Sequence, residues 1–464
     1  MRTDDVIAAI ATAWGESAIA VVRLSGAGSV HIADKFFRAR SGKNLEEIQA
    51  RHMALGVVAD AEGFAVDEAL AVRFEEGRSY TGEESVEVHC HGGIMAVQRC
   101  LELFLGCGAR LALPGEFTKR AFLSGRIDLA QAEAALGVIR SKSDAALLSA
   151  ERSLQGELSS GVRSLMDSLT AFRAGLEARL DYPEELDGQE NSEISDGIEK
   201  LSFAASDLAS RCRAGLILSG GVRVAILGRP NVGKSALLNA LTGQDRAIVA
   251  ATPGTTRDTV TASTVWRGLA LEFVDTAGIR ETSDEIEGIG IARSLAAMGG
   301  ADVRLVVTDA SGMTADDEEI ISEATKKDAG DAAGSTLLAL NKSDLLPPGC
   351  LKNADVASGA GINQIKTSAL TGYGIEALKD AIFELALGSV PAEEGYAATE
   401  RMASGIAEAA SLLGDAKAAM KRADGIDAVG SLLAEASVAI AALLGADATE
   451  ELLDAIFSNF CVGK

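Results

Sequence analysis

The chain has 464 residues, 43 Lys+Arg against 67 Asp+Glu, a formal net charge of −24 and 47% hydrophobic residues. That length implies two or three domains, and the apolar fraction excludes global disorder. So acidic a chain is a poor candidate for gripping nucleic acid chiefly by neutralising phosphates, and six cysteines scattered without a CxxC pair argue against a disulfide framework or structural zinc.

The start, MRTDDVIAAIATAWGES, sets two acids before a short apolar run, unlike a secretory signal. The longest apolar stretch, residues 436–446, is too short to cross a bilayer, so a soluble cytoplasmic protein is expected. Up to about residue 115, short β-branched runs alternate with Gly-rich turns: 18–26, 55–60, 68–74 and 85–93 read as strands of an α+β domain. Residues 116–182 contain no proline, and apolar residues recur at helical spacing (Leu129, Ala132, Leu136, Ile139; Leu165, Leu169, Phe172, Leu176, Leu180). An acidic segment, 181–197, reads as a break, followed by more helix. From Gly220 strand, loop and helix alternate, with strands at 222–228, 271–278, 302–310, 336–344 and 364–369, the pattern of a parallel α/β domain. Beyond about Leu387 the chain is Ala-rich and helical to a terminal FCVGK. The expected fold is therefore multidomain α/β and α: an α+β N-terminal domain (1–118), a helical domain from two segments (119–218 and 383–464), and an α/β domain (219–382) inserted between them.

Gly228-Arg229-Pro230-Asn231-Val232-Gly233-Lys234-Ser235 fits GxxxxGK[ST] between a predicted strand and a predicted helix. In such a loop, backbone N–H groups wrap a pyrophosphate, Lys234 reaches the β- and γ-phosphates and Ser235 ligates Mg²⁺. Asp275-Thr276-Ala277-Gly278 ends a strand, where Asp275 can hold Mg²⁺ through water and the Gly278 N–H can meet a γ-phosphate. Asn341-Lys342-Ser343-Asp344 ends another, where the Asp344 carboxylate can accept both N–H groups of guanine, and Ser368-Ala369 would close over the base. ATPGTTRD (251–258) sits where a switch loop belongs, with Thr256 as the candidate sensor of Mg²⁺ and γ-phosphate. These elements predict a GTPase. Ras-like enzymes follow DTAG with a water-orienting Gln; here Ile279 stands there, with Glu281, Asp284, Glu285 and Glu287 as downstream alternatives. His89 and His91 share one face of a predicted strand and read as structural or pocket-lining rather than metal-binding.

The segments AIAVVRLSG (18–26), SYTGEESVEVHCHGG (79–93), LPGEFTKRAFLSGRIDLAQAEA (113–134), GRPNVGKS (228–235), PGTTRD (253–258), DTAGIRETSDEIEGIG (275–290), NKSD (341–344) and FCVGK (460–464) carry a resemblance over essentially the whole chain to the bacterial tRNA modification GTPase MnmE (TrmE) family. The resemblance implies a Ras-like G domain, a folate-binding and dimerising N-terminal domain, and a partnership with the flavoprotein MnmG in a heterotetramer or larger complex. That complex installs a carboxymethylaminomethyl or aminomethyl group at C5 of the tRNA wobble uridine from a tetrahydrofolate one-carbon unit (5-formyl or 5,10-methylene form).

It further implies folate contacts at Arg23, Glu87, Arg126 and Lys464, with Mg²⁺ at Ser235 and Thr256. K⁺, which promotes G-domain dimerisation, falls on Asn231, Ala250, Thr252 and Thr255, in a loop that with Gly254 also lines GTP. The water-orienting acid falls on Glu287. Cys461 carries two readings, a thiolate in the one-carbon step or a small residue packing the tail. The sequence departs from the family pattern at Trp14 (for Pro), Glu16 (for Arg) and Gly288 after Glu287. Two rival functions are a ribosome-associated or regulatory GTPase switch without folate chemistry, and a one-carbon transferase whose G domain only regulates.

Overall fold

The computed structural model describes residues 5–141, 143–181, 191–243, 261–275, 301–325, 335–347, 357–359, 362–388, 390–391, 394–422, 425–445 and 449–463. Two compact units are present: Met1–Leu136, Ser159–Ala171 and Ala434–Lys464 make the first, Gly137–Leu158 and Phe172–Leu433 the second.

The first unit is built on seven strands, β1 (Ile7–Ile10), β2 (Ser17–Ser25), β3 (Phe37–Ala39), β4 (Ala54–Ala59), β5 (Ala65–Phe74), β6 (Ser85–Gly92) and β7 (Arg110–Leu111), in the order β3-β4-β5-β6-β2-β1-β7. Every pairing is antiparallel except β1 with β7. Because side chains alternate across a strand, Ala20, Val22 and Leu24 of β2 and Val86, Val88 and Cys90 of β6 share a core with Val30 and Ala33 of α1 (Ser29–Phe36) and Val97, Cys100 and Phe104 of α2 (Ile94–Leu105). The alternate residues Arg23, Glu87 and His89 fall on the opposite face. There Ile7 and Ala9 pack with Ala112 and with Phe117 of α3 (Glu116–Leu123).

The helical stretch after residue 116 resolves into α3, α4 (Leu129–Arg140), α5 (Asp144–Leu154) and α6 (Glu157–Asp181). Gly125 and Gly156 take φ of 71° and 90° between them, and Ser143 caps α5 by accepting the Ala146 N–H at 3.2 Å. Ile139, expected on the apolar stripe, is exposed. The acidic break is shorter than expected: α7 begins at Asn191 and runs to Gly220, so residues 191–197 are helical, and Glu193 in the first turn suits the helix dipole.

The second unit also contains α8 (Lys234–Thr242), α9 (Ala315–Thr325), α10 (Ile375–Leu387) and α11 (Glu400–Arg422), and α7 packs along α11. Buried Ile194, Ile198, Leu201, Ala205, Leu208 and Cys212 on α7, and Met402, Ile406, Ala409, Leu413 and Ala416 on α11, recur at alternating spacings of three and four, the seam of near-parallel helix packing. A second seven-stranded sheet comprises β8 (Val222–Leu227), β9 (Thr261–Trp266), β10 (Leu269–Asp275), β11 (Val303–Asp309), β12 (Ser335–Asn341), β13 (Ala357–Gly359) and β14 (Ile362–Lys366), ordered β13-β14-β12-β11-β8-β10-β9. Its five inner strands are parallel, and both edges are antiparallel hairpins. Val224, Ile226, Leu271, Phe273, Leu305 and Leu337 are fully buried, as a parallel sheet demands.

The chain closes with α12 (Ile426–Leu443) and α13 (Glu450–Phe457). α12 is longer than the apolar run at 436–446 suggested and, with mean hydropathy 1.7 over 18 residues, is long and apolar enough to cross a membrane by length and composition. It also carries Asp427 and Glu435 and buries Val429, Leu433, Ala436, Ile440 and Leu443, the stripe of a core helix.

Candidate functional site

All the nucleotide motifs with described residues gather at one edge of the second sheet. In a parallel sheet the carboxyl ends of the strands point the same way, so β8 delivers Gly228, β10 ends on Asp275, β11 on Asp309 and β12 on Asn341, with Asp275 level with Ile226 and Asp309 level with Asn341. The loop after β8 is shaped by its backbone. Gly228 has φ 143°, and a Cβ there would stand 2.3 Å from the Val307 carbonyl oxygen. Gly233 has φ 97° where a Cβ would meet the Asn341 amide at 2.4 Å, and Asn231 is left-handed at φ 67°. α8 then starts at Lys234, whose buried ammonium donates to the Gly228 and Arg229 carbonyls at 2.7 and 2.8 Å, holding the loop as a ring around the helix N-terminus. Val232 is buried beneath it, and Ser235 is exposed on the first turn.

Asn341 ties that loop to the base end of the site. Buried, it donates from Nδ2 to the Val232 carbonyl at 3.0 Å and accepts the Ala369 N–H on Oδ1 at 3.1 Å. Lys342 is left-handed at φ 62° and gives its ammonium to Asp309 at 2.8 Å; Asp344 accepts the Ser368 hydroxyl at 2.5 Å. The Lys342 hydrogen bond, seconded by the Ser311 hydroxyl, holds the Asp309 carboxyl at about 2. A further anchor escaped the sequence reading: Arg229 Nε donates at 2.7 Å to Asp317, a fully buried carboxylate near the start of α9 that also accepts the N–H and hydroxyl of Thr314 at 3.0 Å each. Burial pulls the Asp317 pKa upward, but the Arg229 and Thr314 bonds outweigh it and keep the carboxyl below its ordinary range. Ala250, Thr252, Gly254, Thr255, Thr256, Thr276, Ala277, Gly278, Ile279, Glu281, Asp284, Glu285, Glu287 and Gly288 lie outside the described residues.

The first unit holds a second constellation on the sheet face away from α1 and α2. Arg23 and Glu87 are cross-strand partners, joined at 2.9 Å through Nε and 2.8 Å through Nη2 to a single carboxylate oxygen. The guanidinium lies 5.3 Å from the Tyr80 ring centroid and 5.7 Å from that of Phe117, and it donates to the Gly463 carbonyl at 3.4 Å. His89 Nε2 stands 3.5 Å from the other Glu87 oxygen, is buried, and has no hydrogen-bond partner among the described residues.

The tail reaches this face because Gly115 (φ 67°) and Gly463 (φ 97°) permit contacts a side chain would block: Cβ atoms there would meet the Phe457 and Ile10 carbonyl oxygens at 2.4 and 2.3 Å. Phe457 and Phe460 pack with Leu129, Ala132 and Leu453, and the Cys461 carbonyl accepts the Gly115 N–H at 3.4 Å. Lys119, also buried, pairs with Asp454 of α13 at 2.6 Å. Cys461 is exposed, whereas Cys90, Cys100 and Cys212 are buried, burial pushing the Cys212 thiol up to about 12. Arg126 is exposed in the turn after α3, Trp14 is exposed, and Lys464 lies outside the described residues. His91 has a different role from His89: exposed, it bonds Asp67 at 2.7 Å, which raises its pKa.

A glycine-bearing phosphate loop, the strand-end Asp275 that opens the DTAG string and a strand-end NKSD at one edge of a parallel sheet define a GTP-hydrolysing enzyme with a Ras-like P-loop G domain. The family model for the MnmE helical domain matches residues 129–461, and that for the GTP-binding protein TrmE N-terminus matches residues 6–126. The chain is 41% identical to the tRNA modification GTPase MnmE of Symbiobacterium thermophilum, over 99% of this chain and 100% of the relative, and 39% identical to that of Moorella thermoacetica with the same coverage. Among solved structures, the G domain of the T. maritima FeoB iron transporter is 30% identical, covering 36% of this chain and 98% of that chain at a TM-score of 0.27. The chain belongs to the tRNA modification GTPase MnmE family.

Proposed function

We propose that this GTPase works with the flavoprotein MnmG to add a carboxymethylaminomethyl or aminomethyl group to C5 of the tRNA wobble uridine, binding the tetrahydrofolate derivative that provides the one-carbon unit. The observation that carries the folate part is the Arg23–Glu87 pair beneath Tyr80 and Phe117, beside a buried His89 nitrogen that, among the described residues, makes no hydrogen bond. An orphaned buried donor or acceptor is costly unless a ligand satisfies it. Two aromatic rings, a cation and an anion suit a flat heterocycle with hydrogen-bonding edges and a carboxylated tail. Arg126 and Lys464 complete the set as cations for that tail, and Cys461 offers the described exposed thiol nearest in sequence to Gly463, which itself contacts Arg23. The domains follow the ranges 1–118, 119–218 with 383–464, and 219–382, and the protein acts in the cytoplasm as a homodimer that meets tRNA within the larger complex.

In the G domain the loop around Lys234 fits a nucleotide phosphate chain: an ammonium already shaped to a ring of backbone groups, at a helix N-terminus, with two glycines where any side chain would intrude. Ser235 and Thr256 would hold Mg²⁺, and Asn231 with Ala250, Thr252 and Thr255 would hold K⁺; these cations neutralise charge developing on the phosphates. Glu287 orients the attacking water, since the Ile279 side chain has no hydrogen-bonding group.

The test is equilibrium binding of 5-formyltetrahydrofolate to the purified chain and to Arg23→Gln. Binding that weakens in the variant by about tenfold to a hundredfold, the value of a charge-assisted contact, supports the reading. No binding to the unaltered chain would favour the regulatory GTPase switch instead.

A further inference from the structure

β9 and β10 are the two arms of one hairpin, with Trp266 level with Leu269 and a two-residue turn of Arg267 (φ 48°) and Gly268 (φ 78°). Both turn residues are left-handed, the geometry that lets a tight turn follow the twist of its strands. At the open end of the hairpin, β9 begins at Thr261, three residues after Asp258 of the PGTTRD segment, and β10 ends on Asp275 of DTAG. One rigid element therefore leads into both segments assigned to the γ-phosphate.

The tip is tethered. Trp266 Nε1 donates to an Asp380 carboxylate oxygen at 2.8 Å, and Arg267 Nη2 lies 3.1 Å from the same oxygen. The Lys379 ammonium sits 4.8 Å from the Trp266 ring centroid, and the Arg267 guanidinium 5.9 Å from that of Phe383. Asp380, Lys379 and Phe383 all belong to α10. Gly268 turns toward α5, where a Cβ would come within 3.2 Å of the Ala145 Cβ. All of these residues lie in the second unit.

We propose that Asp380 is a positioning residue for GTP hydrolysis: by holding Trp266 and Arg267 it anchors the hairpin tip on α10, so that a shift at the switch ends loads this contact rather than swinging the tip free. The inference rests on the assignment of residues 253–258 and 275–278 as switch segments. A strand pair is stiff along its length, so an end that shifts with the nucleotide must either bend the hairpin or load its tip. The Asp380 tether is where that load meets α10. Its single oxygen accepts from a neutral indole and pairs with a cation, so truncation removes both restraints together.

The chain contains two tryptophans, Trp14 and Trp266, so Trp14→Phe leaves the tether's indole as the sole tryptophan emitter. In this background Trp266 emission is expected to differ between GDP and a non-hydrolysable GTP analogue. Asp380→Ala should remove that difference and lower kcat by about tenfold, while affinity for a fluorescent GTP analogue stays within about twofold; Asp380→Glu should restore part of both. Identical Trp266 emission in the two nucleotide states of the Trp14→Phe chain overturns the proposal, and this readout decides even if Asp380→Ala does not fold. Unchanged kcat in a folded Asp380→Ala overturns it as well. Thr256→Ala separates the two levels: lost hydrolysis there with unchanged kcat in Asp380→Ala leaves the switch assignment standing and removes the tether, whereas full hydrolysis in Thr256→Ala removes the assignment and with it the proposal.

Discussion

At the scale of single residues the G domain depends on side chains that never need to touch nucleotide. Asp317 fixes Arg229 from a fully buried position, and an Asn there keeps the shape but leaves the guanidinium without its counter-charge. Asp317→Asn should therefore raise KM for GTP by about tenfold to a hundredfold, in keeping with the ~1.5–3 kcal/mol of a hydrogen bond to a charged group, with kcat little altered; steady-state hydrolysis at varied GTP reads this out. Asp309 gives a pH signature. Its folded carboxyl titrates at about 2, below the ordinary aspartate value of about 3.9, so the Lys342 pair contributes stability above about pH 4 that disappears as pH falls toward 2. Acid unfolding followed by circular dichroism should show a shallower slope in that window for Asp309→Asn.

At the scale of elements, close backbone approaches set which substitutions the scaffold tolerates. A Cβ on Gly215 in α7 would lie 1.7 Å from the Tyr396 carbonyl oxygen, a backbone atom that cannot swing aside. Gly215→Ala is expected to cost ~1–3 kcal/mol or more by overpacking. Gly414 in α11 has nothing within 4 Å of its Cβ position, so Gly414→Ala should instead gain about 0.5–1 kcal/mol. Thermal unfolding of the two variants should shift in opposite directions.

The same elements show what the amino-acid order discloses. β2, β6, β8 and β11 were legible because their apolar runs are β-branched and bounded by turns. β1 was not: IAAI is short, Ala-rich and buried on both faces, with Ala8 turned to α2 and Ile7 and Ala9 to Phe117, so it has no alternation. The start of α7 was misread because acids favourable to a helix N-terminus resemble a polar linker. The phosphate loop and NKSD were readable as local strings. The Arg229–Asp317 and Arg23–Gly463 contacts join residues 88 and 440 positions apart, a separation for which no local spacing exists.

At the scale of the whole molecule the net charge of −24 governs encounter with RNA. Alone, the chain should bind tRNA weakly and with a shallow salt dependence, since few phosphates are neutralised; filter binding between 50 and 200 mM salt, with and without the proposed flavoprotein partner, checks it. Hydrolysis at equal ionic strength in KCl and NaCl is expected to be much faster in KCl, and equal slow rates would remove Asn231 and the Thr255 segment as a cation site.

The contact between Arg23 and Gly463 has a further consequence during synthesis. A ribosome adding roughly 5–20 residues per second needs on the order of half a minute or more to make the residues separating them. The N-terminal sheet thus emerges long before the segment whose Gly463 carbonyl accepts from Arg23, and nascent chains must wait with that contact unmade. Added bulk close behind Gly463 would crowd its contact with Arg23, whereas bulk placed far from it in the chain would leave the late-arriving segment free to dock.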